Sequence, residues 1–253
     1  MTRPTLESRL VQRELPAQRH VMYQRWSHLL FAHWLEEPER IQATLPKGLF
    51  VDAFNGRAFV GAVPFYMERI RPRFLPPLPG ISWFLEFNLR TYVHDVDGRP
   101  GVWFYSLDAN QSLAVALARR FFHLPYFRAK MRAATGDGNM QSRSHRQGHQ
   151  IQDRVDYKIP DGPMAEAESG SLEFFLLERY LLFAHDRSRD RVLSGRVFHS
   201  PYPFAEVDSE SFKAHIAPVF TAAGFDPPAE RPSSLLYSPR VDVKVFPTIP
   251  LSR

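Results

Sequence analysis

The chain predicts an α+β fold: one large, mostly antiparallel β-sheet closing into a barrel-like form, with three or four helices. Short apolar or alternating runs bounded by Gly, Pro, Asn or Asp recur along most of the 253 residues. Proline is abundant at 22 residues, which favours turns and short strands over long helices. Only a few segments have helical spacing, so the helices are accessories to the sheet.

Residues 1–20 read as a polar lead-in with a helical turn or two, and residues 21–253 as a single domain. Trp26 to Trp34 is the first strong apolar run and predicts a strand. Pro38 suits the first turn of a short helix that ends at Leu45, before Pro46-Lys47-Gly48. Phe50–Phe54 and Arg57–Phe65 flank Asn55-Gly56, a strong hairpin signal. Arg71 to Gly80 is a stiff proline-rich connection. A strand over Ser82 to Val93 follows, and Asp97-Gly98 turns it onto Gly101 to Leu107. The alternation there puts Val102, Phe104, Ser106 and Asp108 on one face.

Gln111 to Phe122 predicts a helix, with Leu113, Leu117 and Phe121 marking its buried side. Leu124-Pro125 stops it. Strands are expected at Tyr126–Ala134, Met140–Gln147 and Arg154–Ile159, the first two joined through Gly136-Asp137-Gly138. Ser171 caps a short helix to Glu178. Arg179–His185 and Arg191–His199 form a hairpin, Ser209 to Ala223 a helix closed by Gly224, and Leu235–Phe246 the last strand.

The composition excludes several classes of function. Cysteine is absent, so disulfides, thiolate catalysis and cysteine metal sites are ruled out. No run of about 18 apolar residues exists to cross a membrane as a helix. The first 20 residues lack the apolar stretch of a signal peptide, and a cytoplasmic location is expected. The net charge is +5, mostly from arginine, but no long basic stripe with interleaved aromatics points to nucleic acid. Arg143, His145, Arg146, His149 and Arg154 read as a solvated hairpin. His145 and His149 have no acid placed to complete a metal site, and His28 and His33 face opposite ways on a strand, so no metal or cofactor is expected. P-loop, dinucleotide and nucleophile-elbow motifs are missing.

Phe84 to Val93 is the informative stretch. Leu85, Phe87, Leu89, Thr91 and Val93 share one face; Glu86, Asn88, Arg90 and Tyr92 share the other. That polar face either meets water or lines an interior. Glu86 and Arg90 lie about 13 Å apart along an extended strand, too far to pair, but suited to holding two ends of one ligand. A buried carboxylate there would need a partner or a proton.

Several segments together resemble the YqjF-like family of uncharacterised proteins (domain of unknown function 2071). They are WSHLLFAHW at 26–34, LPKGL at 45–49, VGAVPF at 60–65, RPRFLPPLPG at 71–80, EFNLRTYV at 86–93, PGVWFYSLDA at 100–109, LPY at 124–126 and LERY at 177–180. The family's fold is similar to that of acetoacetate decarboxylase, so the resemblance implies an acetoacetate-decarboxylase-like sheet with an interior pocket. Those enzymes carry Gly-Arg-Glu and then Gly-Phe-Pro-Lys, the lysine forming a Schiff base. In this chain the Arg falls on Arg119 and the Schiff-base position on Tyr126, which cannot form an imine. A Tyr-x-Glu that supplies a pocket acid is similar to Phe84-Leu85-Glu86.

The resemblance therefore implies an organic acid or carbonyl compound as ligand. Glu86 and Tyr126 would be the acid/base groups, with Arg90, Tyr92, Asn88 and Arg119 as ligand-binding residues. The expected partner is a small molecule, with neither nucleic acid nor membrane, and the sequence leaves a homo-oligomer open. Two alternatives stand beside this: a non-catalytic interaction or regulatory protein with a vestigial pocket, and a decarboxylase or aldolase using Lys130.

Overall fold

The protein is described from a computed structural model, over residues 2–251. The first half runs α1 (Leu6–Val11), β1 (Met22–Glu36), α2 (Pro38–Gln42), β2 (Leu49–Val51), β3 (Ala58–Pro72), β4 (Phe84–Asp95), β5 (Pro100–Ala109) and α3 (Ser112–Phe122). Then come β6 (Tyr126–Gly136), β7 (Asn139–Arg146), β8 (Asp153–Lys158), α4 (Leu172–Leu177), β9 (Leu181–Asp186) and β10 (Arg191–Phe198). The last elements are β11 (Ala205–Glu206), β12 (Lys213–His215), α5 (Ala217–Ala222), β13 (Ser234–Val245) and β14 (Ile249–Pro250). This is the mixed, sheet-dominated α+β architecture that the sequence predicts, with the helical turns expected in residues 1–20 formed as α1.

Seven strands close into a ring in the order β4–β5–β9–β10–β13–β1–β3. Its pairs are antiparallel except β5 with β9. The outer edge of β5 divides its pairing, meeting β9 at Val102 and Trp103 and β6 from Leu107 to Ala109. From β6 an antiparallel arm of β7, β8 and β12 runs away from the ring. Strand alternation then creates two cores. Leu29, Phe31, Val63, Phe65 and Leu107 face the ring interior, whereas Leu30, Trp34, Phe87, Leu89 and Val155 pack outside it, beneath the arm and α5.

Two glycines allow the ring to close tightly. A Cβ at Gly101 would lie 2.7 Å from the carbonyl oxygen of Leu181, so β5 could not approach β9. A Cβ at Gly61 would sit 2.9 Å from His33 Cδ2. Gly61→Ala is expected to cost about 1–3 kcal/mol through overpacking, measurable by denaturant unfolding. An unchanged midpoint would show that the His33 ring yields freely.

Several local expectations change. The Asn55-Gly56 turn is present, with both φ angles positive, but β2 pairs with β4 rather than with β3. Ser209–Ala223 is not one helix: β12 joins the edge of the arm, and Pro218 sits in the first turn of a short α5. In β5, a bulge opposite Leu89 and Arg90 shifts the alternation. Val102 and Phe104 therefore face inward, while Ser106 and Asp108 lie on the other face from Leu107.

Helix α3 is turned relative to its predicted face. Leu113, Leu117 and Phe121 are 46%, 47% and 63% exposed, and the side toward the protein carries Ala114, Val115, Ala118 and Phe122. The helix is apolar nearly all round, so spacing alone did not select the side. Arg146 is likewise buried rather than solvated, paired with Asp108 of β5 at 2.7 Å.

Candidate functional site

The interior of the ring holds a cavity of about 240 Å³. Its walls are largely apolar, from Trp26, Leu29, Val63, Phe65, Leu107 and Val197. At one end it is lined by residues of α3 and by Arg71, Pro72 and Ile81; Leu117 and Ile81 are partly exposed, so the cavity opens between these segments. Gln111 Nε2 donates to the Gly80 carbonyl across them at 2.5 Å. At the other end, the buried Leu177 that closes α4 and the residues that follow it form the floor.

Strand β4 crosses from mouth to floor. Glu86, Asn88 and Arg90 project from its inner face and all line the cavity. Tyr126 lines it from the neighbouring β6, whose register sets Tyr126 beside Leu107. The delivery of Tyr126 is local: α3 ends on His123 in the left-handed region, Leu124-Pro125 turns the chain, and Arg119 Nε donates to the Tyr126 carbonyl at 2.6 Å.

Glu86 is 3% exposed and accepts a hydrogen bond from Tyr126 Oη at 2.7 Å. Burial pushes its carboxyl up to about 7 even though hydrogen bonds from Tyr126 and Asn88 hold it down. Burial, and then the Glu86 charge, push the Tyr126 phenol well above its usual value, so it stays a donor. Near neutrality, Glu86 can therefore give or take a proton beside a fixed neutral hydroxyl, which is what general acid–base chemistry requires. Tyr126→Phe removes a bond that stabilises the carboxylate. The Glu86 inflection is expected to move above 7, readable by ¹³C-carboxyl NMR titration; an unmoved or lowered inflection would contradict the pairing.

The floor is cationic. Arg90 is 8% exposed, and Nη2 donates at 3.3 Å both to Tyr92 Oη and to the Leu176 carbonyl. Its Nε has no partner, and no carboxylate pairs with it among the described residues. Tyr92 Oη donates to the Leu176 carbonyl at 2.9 Å, so it must accept from Arg90 and from His33 Nε2, the latter at 2.6 Å. Burial, and then the Arg90 charge, hold His33 well below the usual histidine range, so the ring is neutral.

Arg179 also lines the cavity. Its Nε donates to the Phe175 carbonyl and its Nη1 to Asp52, each at 2.7 Å, and Nη2 has no partner among the described residues. Burial lowers it to about 10, still charged at neutral pH. Burial pushes Asp52 up, but Arg179 and Arg9 of α1 outweigh it, so Asp52 remains an anion. The Arg90 and Arg179 guanidinium carbons lie 5.6 and 4.9 Å from the Tyr92 ring centre.

The structure thus brings Glu86, Asn88, Arg90 and Tyr126 onto one cavity. Tyr92 is fully buried behind Arg90 and orients it. Arg119 is exposed and holds the backbone of Tyr126 rather than lining the cavity. Lys130 shares strand parity with Tyr126, but β6 has by then left the ring, and Lys130 is exposed in register with His145. None of Lys47, Lys130, Lys158, Lys213 and Lys244 lines the cavity, so the lysine-dependent alternative finds no lysine there. Arg179 was missed by the sequence reading. The available signal was Glu178-Arg179 inside the otherwise apolar run Phe174 to Phe183.

Comparison with known proteins agrees with this architecture. The chain is 35% identical over 228 residues to the uncharacterized protein YqjF of Bacillus subtilis (strain 168), covering 90% of this chain and 91% of that one. Acetoacetate decarboxylase from Legionella pneumophila superposes with a TM-score of 0.65 at 12% identity, covering 95% and 91% of the two chains. The enduracididine biosynthesis enzyme MppR, complexed with pyruvate, gives 0.62 at 14% identity, covering 94% and 93%. An acetoacetate decarboxylase-like enzyme from Sphingomonas wittichii RW1 gives 0.62 at 12% identity, covering 92% and 94%. These likenesses establish the fold, and with the DUF2071 model (uncharacterized conserved protein) matched over residues 23–242, the chain belongs to the DUF2071 family.

Proposed function

We propose that this protein binds a small organic acid inside the strand ring, with Glu86 and Tyr126 as the pair that exchanges a proton with it. The observation that carries the reading is Arg90, a buried cation on the cavity wall with no carboxylate partner among the described residues. An unpaired buried charge is costly, so the site is set up for an anion supplied from outside. Arg179 adds a second positive charge that Asp52 shares with Arg9. The fold relatives offer a parallel in MppR, which was solved with pyruvate.

Imine chemistry is not part of the proposal, because no lysine reaches the cavity. A filled interior would have favoured a purely regulatory protein; here the interior is hollow and carries ionisable or hydrogen-bonding groups on its wall, Glu86, Asn88, Arg90, Tyr126 and Arg179 among them. Native mass spectrometry of the full chain with a mixture of small carboxylates and neutral carbonyl compounds tests this. Carboxylates retained by the parent and lost by Arg90→Ala are the expected result. Retention of neutral carbonyl compounds alone, or of carboxylates equally by both proteins, would overturn it.

A further inference from the structure

The geometry points to a ligand whose carboxylate is separated from a second oxygen by an apolar spacer of five or six carbon–carbon bonds: a medium-chain oxo or hydroxy acid. This rests on the proposed organic-acid site and narrows its substrate class. Three observations carry it.

The first is spacing. Glu86 and Arg90 stand four residues apart on the inner face of β4, so their Cα atoms are about 13 Å apart along the strand. Arg90 does not lean back to shorten that gap, because Nη2 is tethered to Tyr92 and Leu176, away from Glu86. Allowing about 3 Å of hydrogen bond at each end leaves about 7 Å between the ligand's two polar groups. A zigzag chain with bonds of about 1.5 Å covers that distance in five or six bonds. A ligand with its carbonyl beside or one carbon from its carboxylate can reach one pole but not both.

The second is the wall between the poles. Leu29, Val63, Phe65 and Leu107 face the stretch between floor and mouth, with Asn88 as the polar residue midway on β4. Methylene groups fit this wall, and each one buried tightens binding by about fourfold. A short, fully polar acid leaves the same wall against water.

The third is direction and size. The cationic end is the closed floor and the Glu86–Tyr126 pair lies toward the mouth, so the acid enters carboxylate first. Its distal oxygen then rests between a fixed phenol and a carboxyl that exchanges protons. The cavity of about 240 Å³ is far larger than the ~15 Å³ that admits one water.

Calorimetric titration of the full chain with pyruvate, levulinate, octanoate and 7-oxooctanoate tests the spacing. The expected order is 7-oxooctanoate tightest, at least tenfold above octanoate, with pyruvate and levulinate weaker still. Glu86→Gln and Tyr126→Phe together should abolish the tenfold preference for 7-oxooctanoate over octanoate. Equal binding of octanoate and 7-oxooctanoate to the parent would refute a second pole, and strongest binding of pyruvate or levulinate would refute the length. In both cases loss of binding in Arg90→Met would leave the anion site standing. Heat from none of the four acids would instead sink the organic-acid reading itself.

Discussion

Arg90→Met is expected to weaken carboxylate binding by about 2–4 kcal/mol, roughly 30- to 700-fold, while leaving the empty protein as stable or more so. The two effects have one cause. Arg90 is buried on the cavity wall without an acidic partner among the described residues, so the folded state carries its desolvation cost in the absence of ligand. Methionine keeps the length of the side chain and its contact beside Phe31, and removes the charge. The Leu176 carbonyl still receives Tyr92 Oη, so no backbone acceptor is orphaned. A stabilisation of about 1 kcal/mol would raise Tm by roughly 2–4 °C in a chain of this size. Titration calorimetry gives the first quantity and scanning calorimetry the second. A drop in Tm of many degrees would mean that Arg90 is structural cement, and full retention of affinity would move the anion elsewhere.

The part of the site that the sequence reveals is the part built from one strand. Glu86, Asn88 and Arg90 fall on one face by parity, and β4 keeps that parity because its irregularity is carried by β5. Tyr126 came from resemblance, since nothing local says that a residue after Leu124-Pro125 reaches back 40 positions to Glu86. Arg179 and Asp52 meet across 127 positions, a pairing set by ring closure and not by any local pattern. Where the expectations failed, the chain was locally ambiguous. Helix α3 is apolar on nearly all sides, so its buried stripe is decided by what it covers. The bulge in β5 sets one extra residue against β4, and that residue reverses every later side chain. His28 shows the same effect in β1, where a positive φ and a register shift separate the inward Trp26 from the inward Leu29.

Glu86→Gln is expected to remove a pH dependence of stability, and the sign is set by the direction of the shift. Glu86 titrates at about 7 in the fold because burial opposes its charge, against about 4.3 in an unfolded chain. Between those values the folded protein holds a proton that the unfolded chain has released, so stability falls as pH rises. The stabilising proton is fully present below the unfolded value and is lost through about 7. At 1.36 kcal/mol per unit, Glu86 alone accounts for a loss of about 3 kcal/mol between pH 4 and pH 8. Asp153, buried beneath α5 where it accepts the Val219 amide, is also raised to about 7 by burial and adds a fall of the same sign. Glutamine resembles the protonated acid, so the variant should match the parent at pH 4.5 and exceed it at pH 8, leaving the Asp153 share in place. Denaturant unfolding of both proteins across this range measures the difference curve. If the two curves run parallel from pH 4.5 to pH 8, Glu86 is ionised throughout and cannot be the group that exchanges a proton with a ligand near neutrality.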